Sequence, residues 1–485
     1  MNKELKRVSA VVLALFLALF VSSSVIQVFA VDSLKADHRN VRVLYDSFST
    51  ERGAILVDGV PIAESVPVDD PYSFLRTYSN GPLYSAVTGY LTLNQGNTGL
   101  ESALNQYLSG TANAQFIDQV NALISGQSPK GASVELTLDG TVQQAAWDAL
   151  GDNTGAIVAM DPKTGEILAM VSKAAYDPNQ LSAHDKSSVI IDRYKALLAD
   201  PTDPLINRAI SGDLYHPGSV FKLIMTAAAL EGGDYTPDSE FPNPPQLQLP
   251  QSSSFISNVE GANCGGTPTA TIATALRLSC NIPFAQLGVA LGEDRIGDMA
   301  KAFGFGQSVK VPMAATPSVY PTGMDQAQLM LSSFGQYDDK VTPLQMAMVS
   351  AAIANGGTLM QPTLVKRVIA PDLTILQDFT PSVFSNPISR TTATTMTQMM
   401  VNGVANGAAS NARISGVDVA GKTGTAENGV GQPYTLWFTG FAPADNPQVA
   451  IAVVVENSGG LTRNAFGNTV AAPMAKKVLE AVLNR

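Results

Sequence analysis

The sequence predicts an α+β protein in three parts: a membrane-crossing helix, an extended polar segment and a larger folded domain. Three observations carry this. Residues Val8 to Val31 hold no charge and are preceded by Lys3, Lys6 and Arg7. Residues 32–130 are polar and glycine-rich, with only short strand-like pieces. Beyond residue 131, strand-like runs stand at both ends and helix-competent runs between them. That is the pattern of one sheet completed by distant segments and covered by helices.

At about 1.5 Å per residue, the uncharged stretch can cross a hydrocarbon core of roughly 30 Å. Its positive flank stays in the cytoplasm, so the body of the protein is expected outside the cell membrane, held by a single span. A cleaved signal peptide, with Val28-Phe29-Ala30 as the cleavage site, is the alternative. Signal peptides use about 7–15 apolar residues, so this stretch would be long for one.

Ala54-Ile55-Leu56-Val57 followed by Asp58-Gly59 is a hairpin signal. Ser125-Gly126-Gln127-Ser128-Pro129-Lys130-Gly131 reads as a linker. The expected parts are therefore residues 1–31 (tail and anchor), 32–130 (pedestal) and 131–485 (main domain). In the last, Val134 to Leu138 alternates like a strand and Val142 to Leu150 is helical. Ala156 to Met160 and Ile167 to Val171 form a hairpin across Asp161-Pro162-Lys163-Thr164-Gly165. Val220 to Leu230 is a helix with Ser219 as its N-cap. Leu344 to Ala354 is helical, Leu436 to Phe441 and Val449 to Val455 are strands, and Ala471 to Leu483 closes as a helix.

Composition excludes some functions. Net charge is −11, with 41 acidic against 30 basic residues, and no basic run follows the N-terminus. A nucleic-acid partner is not expected, because phosphate binding needs clustered Lys and Arg. His38, His184 and His216 with Cys264 and Cys280 lack the spacing of a zinc site, so neither metal nor cofactor is expected. Outside the cytoplasm the two cysteines can form a bridge; two small buried hydrophobes is the other reading.

Three short motifs carry chemistry. In Ser219-Val220-Phe221-Lys222, nucleophile and base candidates share a helical face at i and i+3. A serine needs an adjacent base, and a desolvated lysine, or one beside another cation, can serve. Alone, this motif is as readily a capping serine and a solvated lysine. Ser279-Cys280-Asn281 places a hydroxyl and an amide two apart, able to relay a proton and hold a peptide; such pairs are usually turn formers. Lys422-Thr423-Gly424-Thr425 offers a cation, two hydroxyls and a glycine that admits a substrate backbone. An ordinary surface strand is its plain reading.

The three in this order are far more specific than any one, and they resemble the penicillin-binding proteins and serine β-lactamases. Pro217-Gly218-Ser219-Val220-Phe221-Lys222 is similar to the extended motif of class B penicillin-binding proteins. So are Gly155 to Gly165, Val341-Thr342-Pro343-Leu344-Gln345, Ala354-Asn355-Gly356-Gly357 and the pedestal start Arg52-Gly53-Ala54-Ile55. The likeness runs from about residue 35 to the C-terminus and looks closest to the actinobacterial penicillin-binding protein A group. Leu56-Val57-Asp58-Gly59 departs from the commoner D-R-N-G continuation.

The resemblance implies a penicillin-binding transpeptidase fold: an antiparallel sheet covered by helices, an all-helical lobe, and an extended pedestal. It implies a serine D,D-transpeptidase that cross-links peptidoglycan stem peptides during growth or division. Ser219 would attack the penultimate carbonyl of a D-Ala-D-Ala donor, with Lys222 as base, Ser279 as proton relay and Asn281 holding Lys222 and the peptide. Lys422, Thr423 and Thr425 would meet the terminal carboxylate, beside Gly424. The N–H groups of Ser219 and Thr425 would form the oxyanion hole. An amine acceptor completes the reaction, β-lactams acylate Ser219, and a separate glycan polymerase and other wall-synthesis proteins are the implied partners.

Rival readings are a β-lactamase or D,D-carboxypeptidase on the same scaffold, or a non-catalytic β-lactam sensor or scaffold. No E-x-x-x-N glutamate lies between Asn281 and Lys422, which weighs against a class A β-lactamase. His216, three residues before Ser219, lacks the G-x-S-x-G elbow of a triad serine.

Overall fold

The computed structural model describes residues 3–30, 48, 50–115, 130–258, 261–461 and 465–485. Asp32, His38, Tyr45 and the linker residues Ser125 to Pro129 lie outside the described residues.

The first helix, Lys3–Ser24, continues as a wider turn over Val25–Phe29. Leu5–Gln27 is the one stretch among the described residues long and apolar enough to cross a membrane, 23 residues with mean hydropathy 2.5. Its large side chains, such as Phe16 and Phe20, are exposed, as a lipid-facing helix requires.

The hairpin signal at Asp58-Gly59 is realised by strands Ile55–Val57 and Val60–Pro67. Both turn residues have positive φ (51° and 75°), the geometry of a two-residue turn that matches strand twist. These strands belong to a six-stranded sheet that also takes in Phe74–Tyr78, Ser133–Leu136, Val365–Ile369 and Ile375–Asp378. The sheet therefore spans the boundary expected at residue 130, with two strands arriving from far along the chain.

A buried ion cluster ties the pedestal together. Glu101 accepts from Arg52 Nε and Arg76 Nε, each at 2.6 Å, and all three side chains are at most 1% exposed. Tyr78 OH adds a third bond to Glu101 Oε1. Burial alone would raise the Glu101 pKa, but the Arg76 and Arg52 guanidinium groups hold it below its ordinary value. A depressed carboxylate contributes stability above its unfolded-state pKa and loses it as pH falls through the folded value. Glu101→Gln leaves two buried cations facing a neutral amide. It is expected to destabilise the protein by about 3–5 kcal/mol, read as a lower thermal midpoint at pH 7 and a smaller gap to wild type in acid.

The central sheet has five antiparallel strands in the order Ala420–Ala426, Thr435–Ala442, Val449–Val455, Gly155–Met160, Ile167–Lys173. Its three inner strands are buried at every position, and their side chains alternate between two cores. Ala156, Val158, Ala452 and Val454 enter one core; Ile157, Ala159, Val453 and Val455 enter the other. This period of two sends successive residues to opposite faces. On the first face lies helix Pro343–Ala354, with 11 of its 12 residues buried, hence its lack of a polar stripe. On the other lie helices Gly140–Leu150 and Ala471–Leu483. The latter buries Met474, Val478, Leu479 and Val482, an i, i+4 stripe. Asp139 caps the former through Thr141 N and Val142 N.

Candidate active site

Ser219 stands in a short 3-10 turn, Gly218–Phe221, that runs straight into helix Lys222–Glu231. The expected N-cap role of Ser219 is not realised. Pro217 and Phe221 fill the cap positions, and Ser219 Oγ instead accepts from Lys222 Nζ at 3.0 Å. A 3-10 turn has three residues per turn and eclipses side chains at i and i+3. The turn therefore sets the serine and the lysine side chains over one another.

Lys222 is fully buried, with Phe284 5.5 Å from its ammonium. Behind it, Phe221 stacks on Tyr320 and meets Phe305 edge-on. Nζ also donates to Asn281 Oδ1 and to the Ser279 carbonyl, both at 2.8 Å. Ser279 ends helix Ile272–Leu278 in the left-handed region, φ 65°, a conformation uncommon for residues other than glycine. The turn aims its carbonyl at Lys222 and its hydroxyl at Lys422, which donates to Ser279 Oγ at 2.7 Å. One residue thus stands between two lysines.

Lys422 lies on Ala420–Ala426, an outer strand of the central sheet, and is 3% exposed. Burial lowers its pKa to about 7. Burial lowers Lys222 well below the ordinary lysine value, and repulsion from Lys422 adds to the effect. In a dry site two lysines this close do not both stay charged at neutral pH.

Close backbone packing brings the Ser219 turn to this strand. Gly218 has φ +54°, and a Cβ there would sit 3.0 Å from the Thr425 carbonyl oxygen. A Cβ on Gly424 would sit 2.9 Å from the Pro217 oxygen. The approach sets Ser219 beside Thr425. Thr423 Oγ1 donates to the Ala408 carbonyl, and Thr425 Oγ1 accepts from Gly467 N. Among the described residues the Thr425 hydroxyl donates to none, so its hydrogen is available to a bound group, while Thr423 has already committed its own.

Cys264 and Cys280 are bridged, which ties the residue between Ser279 and Asn281 to a loop 16 positions back. His216 does not reach Ser219: its Nε2 lies 3.2 Å from Lys340 Nζ, and its carbonyl accepts from Trp437 Nε1. Glu293 is used elsewhere, accepting from Gly323 N and Met324 N.

Sequence reasoning missed several supports. The Gly335 carbonyl accepts from Gly218 N at 2.8 Å and so holds the Ser219 turn. Buried Asn243 and Asn258 brace the Ser279–Asn281 loop. Lone glycines and asparagines in loops have no local signature; only the fold brings them to the motifs.

A family model described as the penicillin binding protein transpeptidase domain matches residues 155–480, and one described as the penicillin binding protein A dimerisation domain matches residues 52–134. The chain is 41% identical to the peptidoglycan D,D-transpeptidase PbpA of Mycolicibacterium smegmatis, covering 100% of this chain and 99% of that protein. It is 40% identical to PbpA of Mycobacterium tuberculosis over the same shares. Among solved structures it is similar to penicillin-binding protein A from M. tuberculosis as a ceftriaxone acyl-enzyme, with TM-score 0.87, 38% identity, and coverage of 90% of this chain and 100% of that one. The penicillin G acyl-enzyme of that protein matches with TM-score 0.84 and 38% identity over the same shares.

Proposed function

The chain belongs to the class B penicillin-binding protein transpeptidase family, and from that premise we propose that it is a peptidoglycan D,D-transpeptidase acting through an acyl-enzyme on Ser219. The observation that carries this is the linked set Ser219–Lys222–Ser279–Asn281–Lys422 at an outer sheet strand. A serine beside a dry lysine is an activated nucleophile.

The Ser219 hydroxyl attacks the carbonyl between the two terminal D-alanines of a donor stem peptide, and its proton passes to neutral Lys222. The three acceptors around Nζ suit the ammonium that results. The N–H groups of Ser219 and Thr425 take the developing oxyanion, each such donor being worth about 2.7–4 kcal/mol. The C–N bond breaks, Ser279 relays a proton to the departing D-alanine amine, and an ester to Ser219 remains. Lys422 and the Thr425 hydroxyl hold the terminal carboxylate, with Thr423 beside them. An amine of a second stem peptide then attacks the ester, a new amide forms, and Ser219 recovers its proton. β-Lactams present the same carbonyl and carboxylate and acylate the same oxygen.

Among the described residues, no carboxylate bonds to any member of the set. The proposed organisation is an anchor over 1–31, a pedestal over 32–130 and a catalytic domain over 131–485, with the catalytic domain outside the cell membrane. A separate glycan polymerase would supply the strands to be joined, and the pedestal would contact it.

The test uses the full-length protein in detergent with a stem peptide ending in D-Ala-D-Ala and an amine acceptor. A cross-linked product with released D-alanine is the expected result. Released D-alanine without cross-link would make the protein a carboxypeptidase, and fast turnover of penicillin would make it a β-lactamase.

A further inference from the structure

Asn281 begins helix Ile282–Leu291, yet its side chain makes no capping bond. An asparagine at a helix N-terminus ordinarily turns its carbonyl oxygen onto the first-turn N–H groups. Here that oxygen faces away and accepts from Lys222 Nζ at 2.8 Å. Something else must satisfy the helix.

Two features do so. Pro283, in the first turn, has no N–H to satisfy. Asn258 reaches in from another loop, and its Oδ1 accepts from Asn281 N at 3.0 Å and Ile282 N at 3.1 Å. Asn258 is itself held. Its Nδ2 donates to Asn243 Oδ1 at 2.9 Å, and Asn243 Nδ2 donates to the Cys264 and Thr267 carbonyls. The two side chains are 2% and 0% exposed. The Cys264–Cys280 bridge joins the same two segments, and Asn281 Nδ2 donates to the carbonyl of Ser257, next to Asn258.

We propose that Asn258 is a positioning residue: it caps the helix in place of Asn281, which leaves the Asn281 amide to hold Lys222 against Ser219. Asn243 fixes the orientation of the Asn258 amide. Without Asn258, Asn281 N and Ile282 N lose their shared acceptor, and nothing then keeps the Asn281 side chain from the ordinary capping role at the first turn. Turning to cap would take its oxygen from Lys222. This rests on the serine acyl-transfer reading above.

The test follows acylation of the full-length protein by a fluorescent penicillin across pH. Asn258→Ala is expected to slow acylation about tenfold or more, the scale of losing a bond to a charged group. Its acid limb should move to lower pH, because the Lys222 ammonium loses an acceptor; Lys422 is the charged group already acting on Lys222. In an Asn281→Ala background the same substitution should change the rate less than about twofold, since both act through one contact. Asn258→Asp keeps the Oδ1 acceptor but loses the Nδ2 donation to Asn243 and adds negative charge, so its readout is the acid limb, expected at higher pH. An unchanged rate and pH limb in Asn258→Ala, or equal losses with and without Asn281, would overturn the proposal. If Asn258→Ala does not fold, Asn258→Asp decides, and an unshifted limb there overturns it. Failure of wild type to acylate would instead remove the underlying reading, and the inference with it.

Discussion

Ser219→Ala is expected to abolish covalent labelling by penicillin and to lower cross-linking by about 10⁴–10⁶-fold, as loss of a catalytic nucleophile does elsewhere. The substitution should leave the fold intact. Ser219 is half-buried, and the two other acceptors of Lys222, on Asn281 and Ser279, remain. Intact-protein mass after exposure to penicillin is the measurement, with thermal unfolding as the control. An adduct of undiminished yield in the variant, mapped to Ser279, would move the nucleophile to the other serine and sink the assignment.

Lys222→Met should lower the acylation rate by about 10²–10⁴-fold, the range for removing a positioned general base. Methionine matches the lysine in length and suits the aromatic pocket, so the change tests chemistry rather than packing. The pH profile adds a second readout. Burial and Lys422 both disfavour the Lys222 ammonium, so the wild-type rate should rise with pH as Lys222 gives up its proton and level off below the ordinary lysine range. Burial pushes Lys422 down to about 7; above that it would lose the charge proposed to hold the donor carboxylate, so activity should fall again on the alkaline side. Lys422→Met removes the repulsion and should move the acid limb to higher pH while weakening donor binding. A rate flat from pH 5 to 9 in wild type would exclude a titrating lysine base.

The hairpin across residues 161–165 and the strand Val449–Val455 were legible because each is a local run of apolar residues between turn residues. The chemistry was legible for the same reason, since each motif is a short spacing. Ser219 was misplaced as a helix cap. Serine's preference for that position is only local, whereas the turn at Ser219 packs Pro217 and Gly218 against Gly424 and Thr425, residues more than two hundred positions away. Strand Val365–Ile369, and through it Ile375–Asp378, could not be assigned to the pedestal sheet, because the sheet strand it joins, Ser133–Leu136, lies more than two hundred residues earlier. Asn243, Asn258 and Gly335 carried no signal at all.

By itself, then, the sequence determined which groups are available: a serine with a lysine three residues on, a Ser-Cys-Asn turn, a Lys-Thr-Gly-Thr strand and an apolar N-terminal helix. Local spacing and hydrophobic pattern suffice for that. Only the tertiary structure decided their states. Burial beside a second lysine lowers the proton affinity of Lys222, the left-handed turn at Ser279 links the lysines, and Asn258 meets the start of the helix while Asn281 Oδ1 accepts from Lys222. Proton affinity and hydrogen-bond choice depend on what distant segments bring near, and no local spacing encodes that.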